Sequence, residues 1–173
     1  MENIILIGMP GVGKSTAGVI LAKVLGYRFI DADLLIQQEE NRLLHEIISQ
    51  EGTEQFLRIE NRVNAGIRAD RAVIATGGSV VYGTEAMEHL KSIGTVVYLK
   101  LPYEILKKRL HNINGRGVVR KDGQTLRDLY EERVPLYEKY ADIIVDETGK
   151  DVEQTIELVT KAYGDRNNNF PKA

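Results

Sequence analysis

The chain has 173 residues, a net charge of −2, 43% hydrophobic and 28% charged residues, which is the size and balance of one domain that buries its own core. A near-neutral charge gives no electrostatic ground for a nucleic acid or an anionic membrane as partner, and no run approaches the roughly 18 apolar residues that a membrane span needs. Without any cysteine, disulfides and thiolate chemistry are excluded, and with no basic stretch ahead of the apolar residues 3–8 the expectation is a cytoplasmic protein with no secretory signal.

In chain order, short β-branched runs predict strands over 3–8, 27–30, 72–76, 95–99 and 143–145. Longer periodic stretches predict helices over 14–25, 53–69, 84–92, 103–112, 124–139 and 151–163. That alternation reads as an α/β fold, a parallel sheet joined by crossover helices and covered on both faces. The polar tail from Asp165 reads as frayed.

Between the first strand and the first helix stands Gly8-Met9-Pro10-Gly11-Val12-Gly13-Lys14-Ser15-Thr16. Its spacing is that of a phosphate-binding loop, where glycines let backbone amides approach phosphates and the lysine reaches the outer ones. The helix that opens at Lys14 adds its positive N-terminal end, and Ser15 is the candidate hydroxyl ligand for Mg²⁺. The alternative is a glycine-rich turn without a ligand.

Asp31 and Asp33 follow the second strand, at the carboxyl end of the sheet where open α/β folds bind ligands. Two carboxylates beside a Mg-nucleotide can divide the work of holding hydrated metal and orienting an attacking hydroxyl. The plainer reading is that Asp33 caps the next helix. The stretch 33–70, helical throughout, is a candidate substrate-binding insertion, and the glycine-rich, basic stretch 112–123 reads as a mobile lid with few apolar anchors. Arg116, between Gly115 and Gly117, is placed to bring positive charge to a migrating phosphoryl group. Arg133, beside Glu131 and Glu132, could equally be a surface ion-pair residue.

Taken together, the phosphate loop, Asp31-Ala32-Asp33, Ala75-Thr76-Gly77-Gly78, and Glu132-Arg133-Val134-Pro135-Leu136-Tyr137 followed by Ala141-Asp142 resemble the shikimate kinases over nearly the whole chain. The resemblance implies a single P-loop kinase domain with a five-stranded parallel sheet of order 2-3-1-4-5. It implies ATP bound by Gly11, Val12, Gly13, Lys14, Ser15 and Thr16, with Arg109 stacked on adenine and Arg116 closing on the phosphates. Mg²⁺ would be held by Ser15 and Asp31. Lys14, Asp33 and Arg116 would be catalytic, with Asp33 contacting the substrate hydroxyls, Arg133 binding the substrate carboxylate, and Gly77, Gly78 and Ser79 lining the pocket.

Two positions depart from the family pattern. Aligning Gly52, Phe56 and Glu60 puts Leu57 where the family carries an arginine for the substrate carboxylate, and Ser79 where it carries a third glycine. Arg58 is the neighbouring candidate for that carboxylate, although one step along a helix turns a side chain by about 100°. The expected function is therefore an ATP-dependent kinase acting on a small hydroxy acid, shikimate to shikimate 3-phosphate. The alternatives are a kinase of the same fold for another small polyol, sugar acid or hydroxy amino acid, or a nucleotide-binding switch without catalysis. A monomer is expected. His45, His89 and His111 are scattered and read as structural or surface residues.

Overall fold

The computed structural model describes residues 2–111 and 118–167. Five parallel strands, β1 (Asn3–Ile7), β2 (Arg28–Asp31), β3 (Ala72–Ala75), β4 (Gly94–Lys100) and β5 (Ile143–Asp146), form one sheet in the order β2-β3-β1-β4-β5. The helices are α1 (Lys14–Leu25), α2 (Ala32–Glu40), α3 (Leu44–Gly66), α4 (Thr84–Ile93), α5 (Tyr103–His111), α6 (Leu126–Tyr140) and α7 (Val152–Asn167). No helix among the described residues is long and apolar enough to cross a membrane.

The central strand β1 is buried at every position, as an apolar run flanked by two parallel neighbours and covered by helices requires. Its one polar residue, Asn3, is fully buried because its amide is fully used: Nδ2 donates to the carbonyls of Ala69 and Ile93, both at 2.8 Å, and Oδ1 accepts from the amide of Ala72 at 3.0 Å. It thus fixes the starts of β3 and β4 beside β1. From β1 the chain passes outward to β2, and from β4 outward to β5 on the other side. The loops leaving β1 and β4 therefore diverge and open a crevice at the carboxyl end of the sheet.

Two helix expectations change. The predicted 53–69 helix is the second part of a longer element, because Gly52, with φ 82° and ψ 166°, breaks α3 into two segments. A left-handed φ is cheap only for glycine. The tail is helical further than expected, since α7 continues to Asn167.

Helices α2 and α3 have their own apolar cluster, formed by Ile36, Ile47, Phe56, Ile59 and Val63. Val119, within the glycine-rich stretch, completes it at 6% exposure. One of the few apolar anchors expected in 112–123 is therefore in use, and the C-terminal side of that stretch is docked on the helical insertion. Residues 112–117, and with them Arg116, lie outside the described residues.

Candidate active site

A cleft of about 430 Å³ opens at the carboxyl ends of β1, β2 and β3, lined by Lys14, Ser15, Asp31, Asp33, Glu60 and Gly77 among others. The phosphate loop forms its floor. A β-carbon at Gly8, whose φ is 149°, would stand 2.7 Å from the carbonyl oxygen of Leu99, so the turn out of β1 admits only glycine. Gly13, at φ 97°, opens α1 without a side-chain cap. The first amides of that helix, which have no intrahelical acceptor, thus face the cleft together with its positive dipole end.

Lys14 folds back over the loop, its Nζ donating to the carbonyls of Gly8 at 2.7 Å and Met9 at 3.0 Å. Burial lowers its pKa to about 8, against an upward pull from Asp33 and a downward push from Arg133. Val12 contributes through its backbone, since its side chain is buried. Its carbonyl accepts a 3.3 Å hydrogen bond from Arg109 Nη1, which brings α5 against the loop.

The acidic pair divides its work differently from the simplest sequence reading. Asp31, not Asp33, caps α2: its Oδ1 accepts from the amides of Asp33 at 3.0 Å and Leu34 at 3.4 Å. Its Oδ2 accepts from Ser15 Oγ at 2.9 Å. With the cap supplied by Asp31, the Asp33 carboxylate is turned into the cleft.

Behind Gly78, Arg133 is 1% exposed, which overturns the surface ion-pair alternative. Its Nη2 donates to the carbonyl of Val119 at 2.8 Å, Nε donates to the Tyr82 hydroxyl at 3.4 Å, and the guanidinium lies 5.3 Å from the Tyr82 ring centre. Nη1 faces Gly78, 3.1 Å from where a β-carbon would stand. Its acidic neighbours turn elsewhere: Glu132 accepts from the Tyr82 hydroxyl and Lys121, Glu131 pairs with Arg127. Among the described residues no carboxylate comes within ion-pairing distance of Arg133. Tyr137, stacked on Tyr98 at 5.1 Å, donates to the carbonyl of Gly78 at 2.5 Å and holds the Ala75-Thr76-Gly77-Gly78 segment in place.

Arg58 does not join this group. Its side chain is 67% exposed and paired with Glu54 at 2.5 Å, outside the cleft, because the helical turn that packs Phe56 and Ile59 inward carries position 58 outward. Leu57 is half-buried against the α2–α3 cluster.

Comparison with known proteins agrees with this geometry. The shikimate kinase family model matches residues 10–163. The chain belongs to the shikimate kinase family. It is 36% identical over 166 residues to the shikimate kinase of Thermodesulfovibrio yellowstonii, covering 94% of this chain and 95% of that one. To the shikimate kinase of Clostridium botulinum strain Loch Maree it is 38% identical over 167 residues, covering 94% and 96%. The shikimate kinase of Acinetobacter baumannii, solved in complex with shikimate, superposes with a TM-score of 0.84 at 32% identity over 99% of this chain and 96% of that one. The sheet order expected from the resemblance is the one observed.

Three residues in or beside the cleft were not assigned from the sequence. Glu60 is a cleft residue at 2% exposure, and the available signal was a carboxylate on the same helical stripe as Phe56 and Val63. Val119 gave no local signal, since its role depends on Arg133. His45, read as structural or surface, is exposed at the cleft mouth, while His89 is structural, its Nε2 lying 2.7 Å from the carbonyl oxygen of Ile67.

Proposed function

We propose that the chain transfers the γ-phosphoryl group of ATP to a hydroxyl of shikimate, giving shikimate 3-phosphate and ADP. The observation that carries this is the presence of two positive groups at one cleft. The phosphate loop with Lys14 lines it, and a buried Arg133 without a described carboxylate partner stands behind its lining residue Gly78. A buried guanidinium in that state favours a bound anion, and bidentate pairing with a carboxylate is its strongest match.

In this reading the loop amides from Gly11 to Thr16 and Lys14 hold the ATP phosphates, Arg109 packs on the adenine, and Arg116 adds charge to the migrating group. Asp33 orients the acceptor hydroxyl and takes its proton as the oxygen attacks the γ-phosphorus and the bond to ADP breaks. The hydroxyl of Ser15 and the carboxylate of Asp31, 2.9 Å apart, are a hard oxygen donor set suited to Mg²⁺. Among the described residues no cluster of three metal-ligating side chains exists, which fits an ion held mainly by one carboxylate, water and phosphates. Bound there, Mg²⁺ would neutralise phosphate charge. Gly77, Gly78 and Ser79 line the acceptor side. We also take the enzyme to be a cytosolic monomer.

The test is ADP release by the purified full-length chain with Mg-ATP and a panel of acceptors, shikimate, sugar acids, hydroxy amino acids and nucleoside monophosphates. Shikimate-dependent turnover is the expected result. No stimulation at millimolar shikimate overturns the assignment.

A further inference from the structure

Glu60 is buried and its two oxygens are treated unequally. Oε2 accepts a 2.6 Å hydrogen bond from Ser79 Oγ, while Oε1 has no donor among the described residues. Oε1 lies 2.5 Å from the point where a β-carbon of Gly77 would stand, and Asp33 Oδ1 lies 2.8 Å from the same point. The two carboxylate oxygens, from α3 and α2, thus converge over one glycine in the cleft. Nothing cationic on α3 stands against Glu60, because Leu57 is apolar and half-buried and Arg58 is outside on Glu54. Ser79 is itself fixed, 4% exposed and beginning the 3-10 turn Val80–Tyr82, its carbonyl accepting from the Tyr82 amide at 3.0 Å.

We propose that Ser79 is a positioning residue for acceptor selection: by donating to Glu60 Oε2 it holds Oε1 beside Asp33 Oδ1, so that the two oxygens together take the hydrogens of two neighbouring hydroxyls on the acceptor. The ligand class is a vicinal diol, and the inference rests on the kinase reading above. A carboxylate left to rotate in a buried site would meet an incoming hydroxyl in the wrong geometry or be neutralised by a proton. The serine hydroxyl prevents both. Burial pushes Glu60 up to about 7, the Ser79 hydrogen bond pulls it down, Asp33 pushes it up, and Arg133 and Lys14 pull it down; Tyr137 also faces it from α6. Ser79 therefore helps keep ionised the form that accepts a hydroxyl hydrogen.

The experiment compares the parent chain with Ser79→Ala, Ser79→Cys, which keeps the volume with a weak donor, Glu60→Gln and the double variant S79A/E60Q. Steady-state rates are taken with shikimate and with an analogue lacking one of the paired hydroxyls, across pH 5.5 to about 8.5 to bracket the Glu60 titration. Expected are a KM for shikimate raised about 10-fold in both serine variants, a KM for ATP unchanged within about twofold, and an acidic limb of kcat/KM moved to higher pH. The limb disappears in E60Q, and adding S79A to E60Q costs less than about threefold. The parent's preference for the diol over the analogue shrinks in S79A. An unmoved limb, or losses that multiply in the double variant, overturns the positioning role. A parent without shikimate-dependent turnover overturns the kinase reading instead and takes this inference with it.

Discussion

Ser15 Oγ donates to Asp31 Oδ2 across 2.9 Å while Asp31 Oδ1 caps α2, so a single carboxylate joins the phosphate loop to the helical insertion. Asparagine at position 31 keeps an oxygen for the cap and loses the charge. Asp31→Asn is expected to melt within about 3 °C of the parent, since caps of both types are similarly good. Its kcat should fall about 10²-fold, with part of the loss recovered at high Mg²⁺. Thermal unfolding and a Mg²⁺ titration of the rate check it, and a variant with parental kcat removes Asp31 from the metal site.

Lys14 is buried and its pKa is lowered to about 8 chiefly by desolvation. Its protonated form is the one that meets phosphate, so the affinity for ATP should fall as pH rises through about 8. The sign for stability is the reverse. Between the lowered native value and the ordinary lysine value the unfolded chain binds more protons, so unfolding becomes harder as pH rises through that window. Lys14→Met removes a buried charge without inserting a void. The ligand-free variant should be at least as stable as the parent at pH 7, while kcat falls about 10³-fold. Calorimetric melting beside nucleotide titration checks both halves, and a large loss of stability in the absence of nucleotide contradicts the account.

What could be read from the sequence was whatever depends on neighbours along the chain. The phosphate loop is such a case, since the turn from β1 into α1 and the amides it exposes are set by Gly8, Gly13 and Lys14 within a few residues. The inner strands β1, β3 and β4 were legible because buried parallel strands are nearly continuous apolar runs, the edge strands β2 and β5 as short apolar runs despite their exposure, and only the ends of the five moved by a residue or so. Arg133 was visible as a fingerprint, but its burial was not, because that comes from Tyr82 and Val119, which are remote in sequence. Asp31 and Asp33 were both found, yet which of them caps α2 depends on side-chain rotation that spacing does not determine. Glu60 was hidden for the opposite reason. A glutamate within an ordinary helix gives no hint that its partner is a serine 19 positions later.

Arg58 and Arg133 make a paired prediction about the acceptor carboxylate. Arg58 is solvent-exposed and its partner Glu54 more so, so Arg58→Ala should change the melting temperature by less than about 2 °C and the KM for shikimate by less than twofold or so. Arg133→Lys keeps the charge but not the fork that reaches Val119, Tyr82 and the Gly78 side at once. Its KM for the acceptor should rise at least about 10²-fold, and limited proteolysis near Val119 should accelerate because the carbonyl of Val119 loses its donor. Equal effects of the two substitutions would mean that Arg58 reaches the acceptor after all.

Gly77 supplies the sharpest separation of the two halves of the cleft. A β-carbon there would stand 2.5 Å from Glu60 Oε1 and 2.8 Å from Asp33 Oδ1, and neither oxygen is at the end of a loose side chain. Glu60 is tied to Ser79 and packed at 2% exposure, while Asp33 is in the first turn of α2 behind the Asp31 cap. The position carries no left-handed φ, so alanine is not opposed by the backbone and the cost falls on the two carboxylates. Gly77→Ala should therefore fold, bind ATP with parental affinity, and lose acceptor affinity by about 10²-fold as both oxygens are pushed off their shared target. Calorimetric titration of ATP and of shikimate into the same sample reads the two sides independently. Loss of ATP binding with acceptor binding intact would show that Gly77 serves the phosphate side, and the division of the cleft argued from Glu60 and Asp33 would be wrong.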